Sequence, residues 1–401
     1  MPVVSRLRST LGWPETLAIL RPWEGTVTSF EETFASQMGA RYAVVFPYAR
    51  TGLHAILHAL GIRDREIIMT AYTCAVVAHA IVKSGNQPAF VDITGNDFNQ
   101  NFDQIEANLS ARTGAVIVTH MYGYPSSLER IRKLVHGGAV VIQDCALALG
   151  TRWKGTRVSQ DGVAAYYSLN LGKQMTCLSG GVVTTNDDTL YKGLKKFQST
   201  MLHAPGPLTV LKKVVAFAGQ SIAFHPLCYR TTDWLLGHTS LLRPWSRSRD
   251  EEEVDLPGNA YLAFAPVQAR IGMVQLKRMA WILKRREEIA RTYDARLRGH
   301  LGAGVLPPIV EGATYSHYTP RFPNQKRFRE SLRRRGVYTG RVFDYSVPDL
   351  PYYQNLKSAD CPNSRQAAQE AVNLPNYPSL DSKAQERVID AVLRTAQETG
   401  L

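Results

Sequence analysis

A lysine, an aspartate and a strand-to-helix turn are the parts of this sequence whose residue types and spacing could do chemistry. Lys173 stands in AAYYSLNLGKQMTCLSGGVVTT, 164–185, between a strand expected over Ala164–Ser168 and a second strand after Gly180-Gly181. A lysine in an irregular loop between core strands can lose solvent, which lowers its pKa and leaves a neutral amine able to attack a carbonyl. The plain alternative is a solvated loop lysine. Asp144 ends the apolar run AVVIQD, 139–144. A carboxylate closing a buried strand needs a cationic partner, such as a protonated heterocyclic nitrogen, or a helix to cap. The segment alone leaves both open. The turn is FPYARTGLHAIL, 46–57, where a strand yields to a helix starting near Thr51, with Ala49 and Arg50 at the junction. The unpaired N–H groups and positive dipole end of a helix start suit a phosphate, although an ordinary strand–helix connection reads the same way.

These segments share one stretch of alternating elements, residues 40–185. Apolar runs at Tyr42–Phe46, Glu66–Met69, Ala89–Asp92, Ala115–Thr119 and Ala139–Gln143 predict buried strands. Helical patterns lie between them at Thr51–Gly61, Ala75–Lys83, Phe102–Leu109 and Leu128–Val135. The alternation predicts an α/β fold, with a mostly parallel central sheet, helices on both faces and ligands beyond the carboxyl ends of the strands. A helix begins at Asn186–Ser199, and then the rhythm breaks. HAPGPL, an apolar stretch over Val210–Leu227 carrying Lys212 and Lys213, and the basic run RPWSRSRD read as an insertion at about 200–250. Beyond it a long amphipathic helix is expected over Pro266–Arg298, a helix over Gln325–Gly336, a strand near Val337–Gly340 and a last helix over Lys383–Gln397. The expected organisation is a large domain, 1–258, and a smaller α+β domain, 259–401.

With 44% hydrophobic and 20% charged residues in 401, the chain does not read as disordered, collagen-like or coiled-coil. A formal net charge of +13 favours anionic partners: phosphorylated ligands, nucleic acid or an acidic membrane surface. No helix-turn-helix, zinc-finger or RNA-binding signature supports nucleic acid. The cysteines at 74, 145, 177, 228 and 361 form no CxxC pair, so neither a disulfide framework nor a metal site is expected, and a reducing compartment fits. No apolar run follows Arg6 and Arg8, and no long uncharged apolar stretch occurs, so a signal peptide and a spanning helix are not expected either. The expected location is the cytoplasm.

Taken in order, the segments resemble the sugar aminotransferases of the fold-type I pyridoxal-phosphate enzymes, the DegT/DnrJ/EryC1/StrS family. Its turn S-x-G-T-A-A-L-H stands here as Tyr48-Ala49-Arg50-Thr51-Gly52-Leu53-His54, and its segment AILxxGAKPVFVDID as AIVKSGNQPAFVDIT, 80–94. Its V-x-H-x-Y-G is Val118-Thr119-His120-Met121-Tyr122-Gly123, and its E-D-A/C-A-x-A-x-G is Gln143–Gly150, followed by Lys154-Gly155. Tyr167-Ser168-Leu169, Lys173 and Leu178-Ser179-Gly180-Gly181 follow its lysine loop, and Val267–Leu276, Lys284–Asp294 and Leu374–Leu380 match its later motifs. The resemblance implies pyridoxal 5'-phosphate. Lys173 would hold the cofactor and then serve as the base that moves a proton. Asp144 would keep the pyridine nitrogen protonated. Ser168 and the backbone at Ala49-Arg50 would hold the phosphate. His120 matches a strand-end histidine, with a packing or a catalytic role. The implied substrates are an amino-acid donor, glutamate or glutamine, and a nucleotide-linked keto sugar used for polysaccharide or glycoconjugate synthesis, and the implied assembly is a homodimer.

Several positions depart from the family pattern. Cys74 stands where an aromatic residue usually stacks on the cofactor, so stacking is weak or Tyr72 substitutes. Leu147 replaces a Gln or His able to reach the ring hydroxyl, and Ser179 replaces the Glu of G-E-G-G. The N-Y-R-M motif is replaced near Tyr261–Phe264, with Asn259 close by, and Arg50 brings a charge where Thr is usual. These departures keep two alternatives open: a pyridoxal-phosphate enzyme acting on a non-sugar ketone, and a non-catalytic relative binding a polyanion or membrane. In the insertion, 208–230 reads as a helix buried on the core or as a peripheral contact with the inner face of the membrane.

Overall fold

The structure, a computed structural model, describes residues 3–19, 26–95, 97–223, 228–238, 254, 256, 258–302, 304–356 and 359–400. Its sheet forms where Val, Ile and aromatic residues cluster between turns. The strands in chain order are β1 (Tyr42–Phe46), β2 (Glu66–Thr70), β3 (Gln87–Val91), β4 (Thr113–Thr119), β5 (Val141–Asp144), the two-residue pair β6 (Arg152–Trp153) and β7 (Thr156–Arg157), β8 (Ala164–Ser168) and β9 (Gly181–Thr185). Seven of them make one sheet in the order β1-β9-β8-β5-β4-β2-β3. Only β9 runs against its neighbours. The carboxyl ends of β1, β2, β4, β5 and β8 therefore share one edge with the amino end of β9.

Alternation along the strands sends side chains to opposite faces. Val44, Phe46, Ile117, Tyr166 and Val183 pack with Leu53 of α3 (Ala49–Ala59), Ile81 of α4 (Ala75–Lys83) and Leu194 of α7 (Asp188–Met201). Val45, Val116, Val118, Tyr167 and Val182 pack with Phe30 and Phe34 of α2 (Thr26–Met38) and Ile131 of α6 (Leu128–His136). The same cluster takes Ala269 and Leu276 from the first half of α10 (Pro266–Leu297), while Ile289, Tyr293 and Leu297 from its second half enter another cluster, which joins C-terminal residues to Tyr72, Phe98 and Tyr122. One long helix thus joins the sheet to the unit holding α11 (Gln325–Arg334), α12 (Pro362–Glu370) and α13 (Ser382–Thr399). The remaining helices are α1 (Trp13–Ile19), α5 (Phe102–Asn108), α8 (Pro207–Ala223) and α9 (Tyr229–His238).

Two local differences from the sequence reading have physical reasons. Helix α3 starts at Ala49, not near Thr51, because Tyr48 takes the cap position in an extended conformation with no side-chain cap. The expected strand near Val337–Gly340 is instead two single bridges. Val337 pairs with Val4 and Gly340 with Asn373, so the two ends of the run face different segments and no ladder grows. Within the insertion, 224–227 and the basic run Arg243–Asp250 lie outside the described residues. Among the described residues, no helix is long and apolar enough to cross a membrane.

Candidate active site

At the shared strand edge lies a cavity of about 250 Å³. Of the residues singled out in the sequence, Ala49, Arg50, Cys74, Asp144, Ser168 and Lys173 line it, and Tyr72 does not. One end is built by β1, β8 and β9. Gly181 pairs with Phe46 on one side and with Ser168 on the other, which sets Ser168 beside the turn at Pro47–Ala49. A Cβ on Gly181 would stand 2.4 Å from the Ala49 nitrogen, so only glycine lets β9 come this close to the helix start. The first bond of α3 runs from the Gly52 N–H to the Tyr48 carbonyl, and the turn before it has no side-chain cap. Arg50 is buried in that turn, its guanidinium 5.1 Å from the centre of the Tyr48 ring. A cation, a hydroxyl and a helix N-terminus converge on one spot, an anion-binding combination. Gly181→Ala is expected to push this turn outward and cost about 1–3 kcal/mol. Urea unfolding would show it, and an unchanged midpoint would refute the close approach.

Asp144 supplies the middle of the cavity. Its Oδ1 accepts the Ala146 N–H at 2.9 Å, and no helix follows β5, so it closes a turn and caps no helix. Burial pushes its pKa up, against the pull of the Ala146 N–H, the Tyr166 hydroxyl and the Lys173 charge. Lys173 follows Gly172, whose φ of +83° turns the chain. Burial lowers the lysine's pKa, and Cys74 and Asp144 partly oppose the shift. A buried carboxylate that wants a positive partner therefore shares the cavity with an amine biased toward its neutral form. A cofactor carrying a phosphate, a protonatable ring nitrogen and a carbonyl would find a partner here for each.

Tyr72 lies behind the cavity wall. Its hydroxyl meets that of Tyr122 at 2.9 Å, and its ring packs against Phe98 and Phe343. His120 is fixed structurally: Nδ1 accepts the Ser126 N–H at 3.0 Å, which leaves Nε2–H to bond Gln143 Oε1 at 3.0 Å. Leu147 lines the cavity. Ser179 lies one residue from the Gly180-Gly181 step, its Oγ taking a bond from Lys213 Nζ of α8 at 2.9 Å and its carbonyl one from Gln268 Nε2 at 2.6 Å. Asn259 is exposed and off the cavity, but the neighbouring Ala260 carbonyl accepts the Thr51 hydroxyl of α3 at 3.0 Å.

The sequence reading does not name two groups at the site. Phe343 reaches the cavity from the C-terminal unit. His317 lies within electrostatic reach of Lys173; its pKa is lowered to about 3 by burial, with Arg286 and Lys173 adding to the shift. The motif YSHYTP around it carries a polar, titratable residue among aromatics, which was the available signal.

Burial lowers the His120 pKa from 6.5 to about 4. A folded-state pKa below the unfolded one means that the unfolded chain binds the extra proton, so stability drops as pH falls from about 6.5 toward about 4. His120 alone should account for about 3 kcal/mol of that loss. Melting temperatures across this window should show a slope that flattens in His120→Gln; identical slopes would contradict the buried neutral ring.

A model of the DegT/DnrJ/EryC1/StrS aminotransferase family matches residues 24–215 and 243–393. The GDP-perosamine synthase of Escherichia coli O157:H7 is 27% identical over 361 residues, covering 89% of this chain and 86% of that protein. Among solved structures, PseC of Helicobacter pylori, an aminotransferase involved in the biosynthesis of pseudoaminic acid, matches with a TM-score of 0.78 at 20% identity, covering 99% of this chain and 100% of its own. Spr1654 of Streptococcus pneumoniae, solved in a PLP form, matches with a TM-score of 0.76 at 18% identity over 99% of each chain. These two likenesses establish a shared fold.

Proposed function

This chain belongs to the DegT/DnrJ/EryC1/StrS aminotransferase family, and we propose that it uses pyridoxal 5'-phosphate to move an amino group from glutamate or glutamine to the carbonyl of a nucleotide-linked keto sugar. The observation that carries this reading is the gathering of Lys173, Asp144, Ser168 and the uncapped start of α3 in one cavity. The residues fit the cofactor. Asp144 is buried with a raised pKa, and a protonated ring nitrogen is the counter-charge that would lower it again. The helix start, Ser168 and Arg50 offer a phosphate the donors it needs.

When bound, the cofactor supplies an electron-withdrawing ring that stabilises negative charge on the amino-bearing carbon. The chain supplies the rest. Lys173 Nζ, whose pKa burial lowers, would take the proton from that carbon and return it one atom further along. Asp144 would hold the ring proton in place. Leu147, Met121 and Phe343 keep water from the reacting atoms. Cys74, which lines the cavity, would offer the ring less surface than an aromatic residue would.

The sugar class is supported by the likeness to the GDP-perosamine synthase and by the +13 charge, which suits a nucleotide diphosphate. A homodimer is supported by family membership and by Trp13 and Leu17, exposed one helical turn apart on α1. The products would feed polysaccharide or glycoconjugate synthesis in the cytoplasm or at the inner membrane face. Protein loaded with pyridoxal phosphate should change its visible spectrum on adding glutamate, then form an aminated nucleotide sugar from the matching keto sugar, detected by mass. No spectral change with any amino acid would sink the aminotransferase reading. A change followed by amination of non-sugar ketones only would sink the sugar.

A further inference from the structure

Away from the cavity at Lys173 lies a groove of about 770 Å³ between the N-terminal segment, α9, α11 and α13. Its walls carry Arg230 and Trp234 from α9, Arg333 and Arg334 from the last turn of α11, Arg387 from α13, and Tyr338. Arg335 also lines it and is ion-paired to Glu398, Arg333 lies over the Tyr338 ring, and Glu330 is the one carboxylate among the lining residues. The crowding of positive charge extends beyond the groove. The pKa of Arg329 is lowered to about 10, first by burial and then by Arg341 and Arg6, with Arg333 adding and Asp344 opposing. Such a surface favours a multiply charged anion.

The wall that supplies Arg230 and Trp234 lies outside the segments that the family model matches. The family model stops at residue 215 and resumes at 243, so α9 falls between its two matched segments. Trp234 is more than half exposed on that wall. In α8, the preceding helix, Leu208, Leu211 and Val215 are also more than half exposed, at spacings that put them on one helix face, with Lys212 exposed beside them. The N-terminal segment runs from the groove toward the loop that α8 contacts. Val4 pairs with Val337 next to the groove, while Leu7 packs on Gly172 in the loop whose Ser179 receives Lys213 of α8. Val4 and Leu7 can be separated by no more than about 11 Å. Apolar side chains, a rim tryptophan and arginines on neighbouring elements are the composition of a surface that rests in a lipid headgroup layer.

We propose that α8, α9 and the arginine-lined groove form a docking surface for an anionic phospholipid bilayer, with lipid phosphates in the groove and Trp234, Leu208, Leu211 and Val215 in the headgroup layer. This docking is independent of the chemistry at Lys173. The full-length protein, loaded with pyridoxal phosphate, should sediment with vesicles of phosphatidylglycerol and phosphatidylcholine, should not sediment with phosphatidylcholine alone, and should be released by high salt. Each arginine removed should weaken binding about fivefold, so Arg333→Gln with Arg334→Gln should weaken it about 25-fold. Trp234→Ala and Leu211→Ser should each weaken it in the same assay. An unchanged visible spectrum and melting temperature would show that these variants remain folded. Equal binding to both vesicle types, binding to neither, or binding untouched by the substitutions would overturn the proposal. Binding of inorganic pyrophosphate by the wild type but not the double variant, without vesicle binding, would overturn it in favour of a soluble polyphosphate.

Discussion

Lys173→Ala is expected to lower turnover by at least about 10³-fold, the scale set by losing a positioned general base. The reason is local. The lysine sits in a loop whose burial lowers its pKa, which favours the neutral amine that can take a proton. The cavity lining offers no second lysine to replace it. The same substitution should erase the visible band formed on adding pyridoxal phosphate. Borohydride followed by peptide mass mapping should leave cofactor mass on the Lys173 peptide of the wild type and none on the variant. Because a buried amine whose charged form is disfavoured is being removed, the melting temperature without cofactor should not fall. Lys173→Arg keeps a cation but cannot deprotonate, and should be as inactive as the alanine variant. A variant that keeps both the band and turnover would remove Lys173 from the mechanism.

Asp144→Asn is the second large effect. The carboxylate is buried and its pKa is already raised, so the protein without cofactor carries a charge that its surroundings do not fully balance. Replacing it with a neutral isostere should leave that form as stable or slightly more so. The loss should appear on adding cofactor. The rise in melting temperature produced by saturating pyridoxal phosphate should shrink, because the ring nitrogen loses its counter-charge. Turnover should fall by about 10²-fold or more, as for removal of a preorganised electrostatic partner. Acid should mimic the substitution. Since the pKa of Asp144 is raised, its protonation, and with it the loss of cofactor affinity, should set in at a higher pH than for an ordinary aspartate. An Asn variant with the full cofactor-dependent stabilisation would show that the carboxylate faces something else.

What could be read from the sequence was what is local. Asp144 and the Ala49-Arg50 turn sit at or just past the end of a strand with its own hydrophobic signature, Lys173 lies in the loop that follows another, and the parallel alternation brings such ends to one edge. The exact start of α3 was not readable, because Thr51 is the better capping residue by type while Tyr48 holds the capping position by conformation. Helix α2 went unnamed although Phe30, Phe34 and Met38 recur at helical spacing. Tyr72 shows the opposite limit. Its place in the chain suits the cavity, yet its ring turns into a cluster with Phe98, Tyr122 and Phe343, and only packing decides that direction. His317 and Phe343 arrive from the C-terminal unit, across contacts that no local pattern encodes.

The reversed strand β9 gives the reactive lysine an unusual mounting. Because Ser168 and Gly181 are bonded partners, the chain between them leaves and re-enters the sheet at one point, like a ring tied at its base. Inside the ring, Met175 and Cys177 sit in the core beneath the sheet, and the Gln174 side chain accepts the Leu149 N–H and donates to the Thr314 carbonyl. The reach of the amine is thereby fixed by the scaffold on both sides, so a ring shortened or lengthened between Leu169 and Met175 is expected to misplace it.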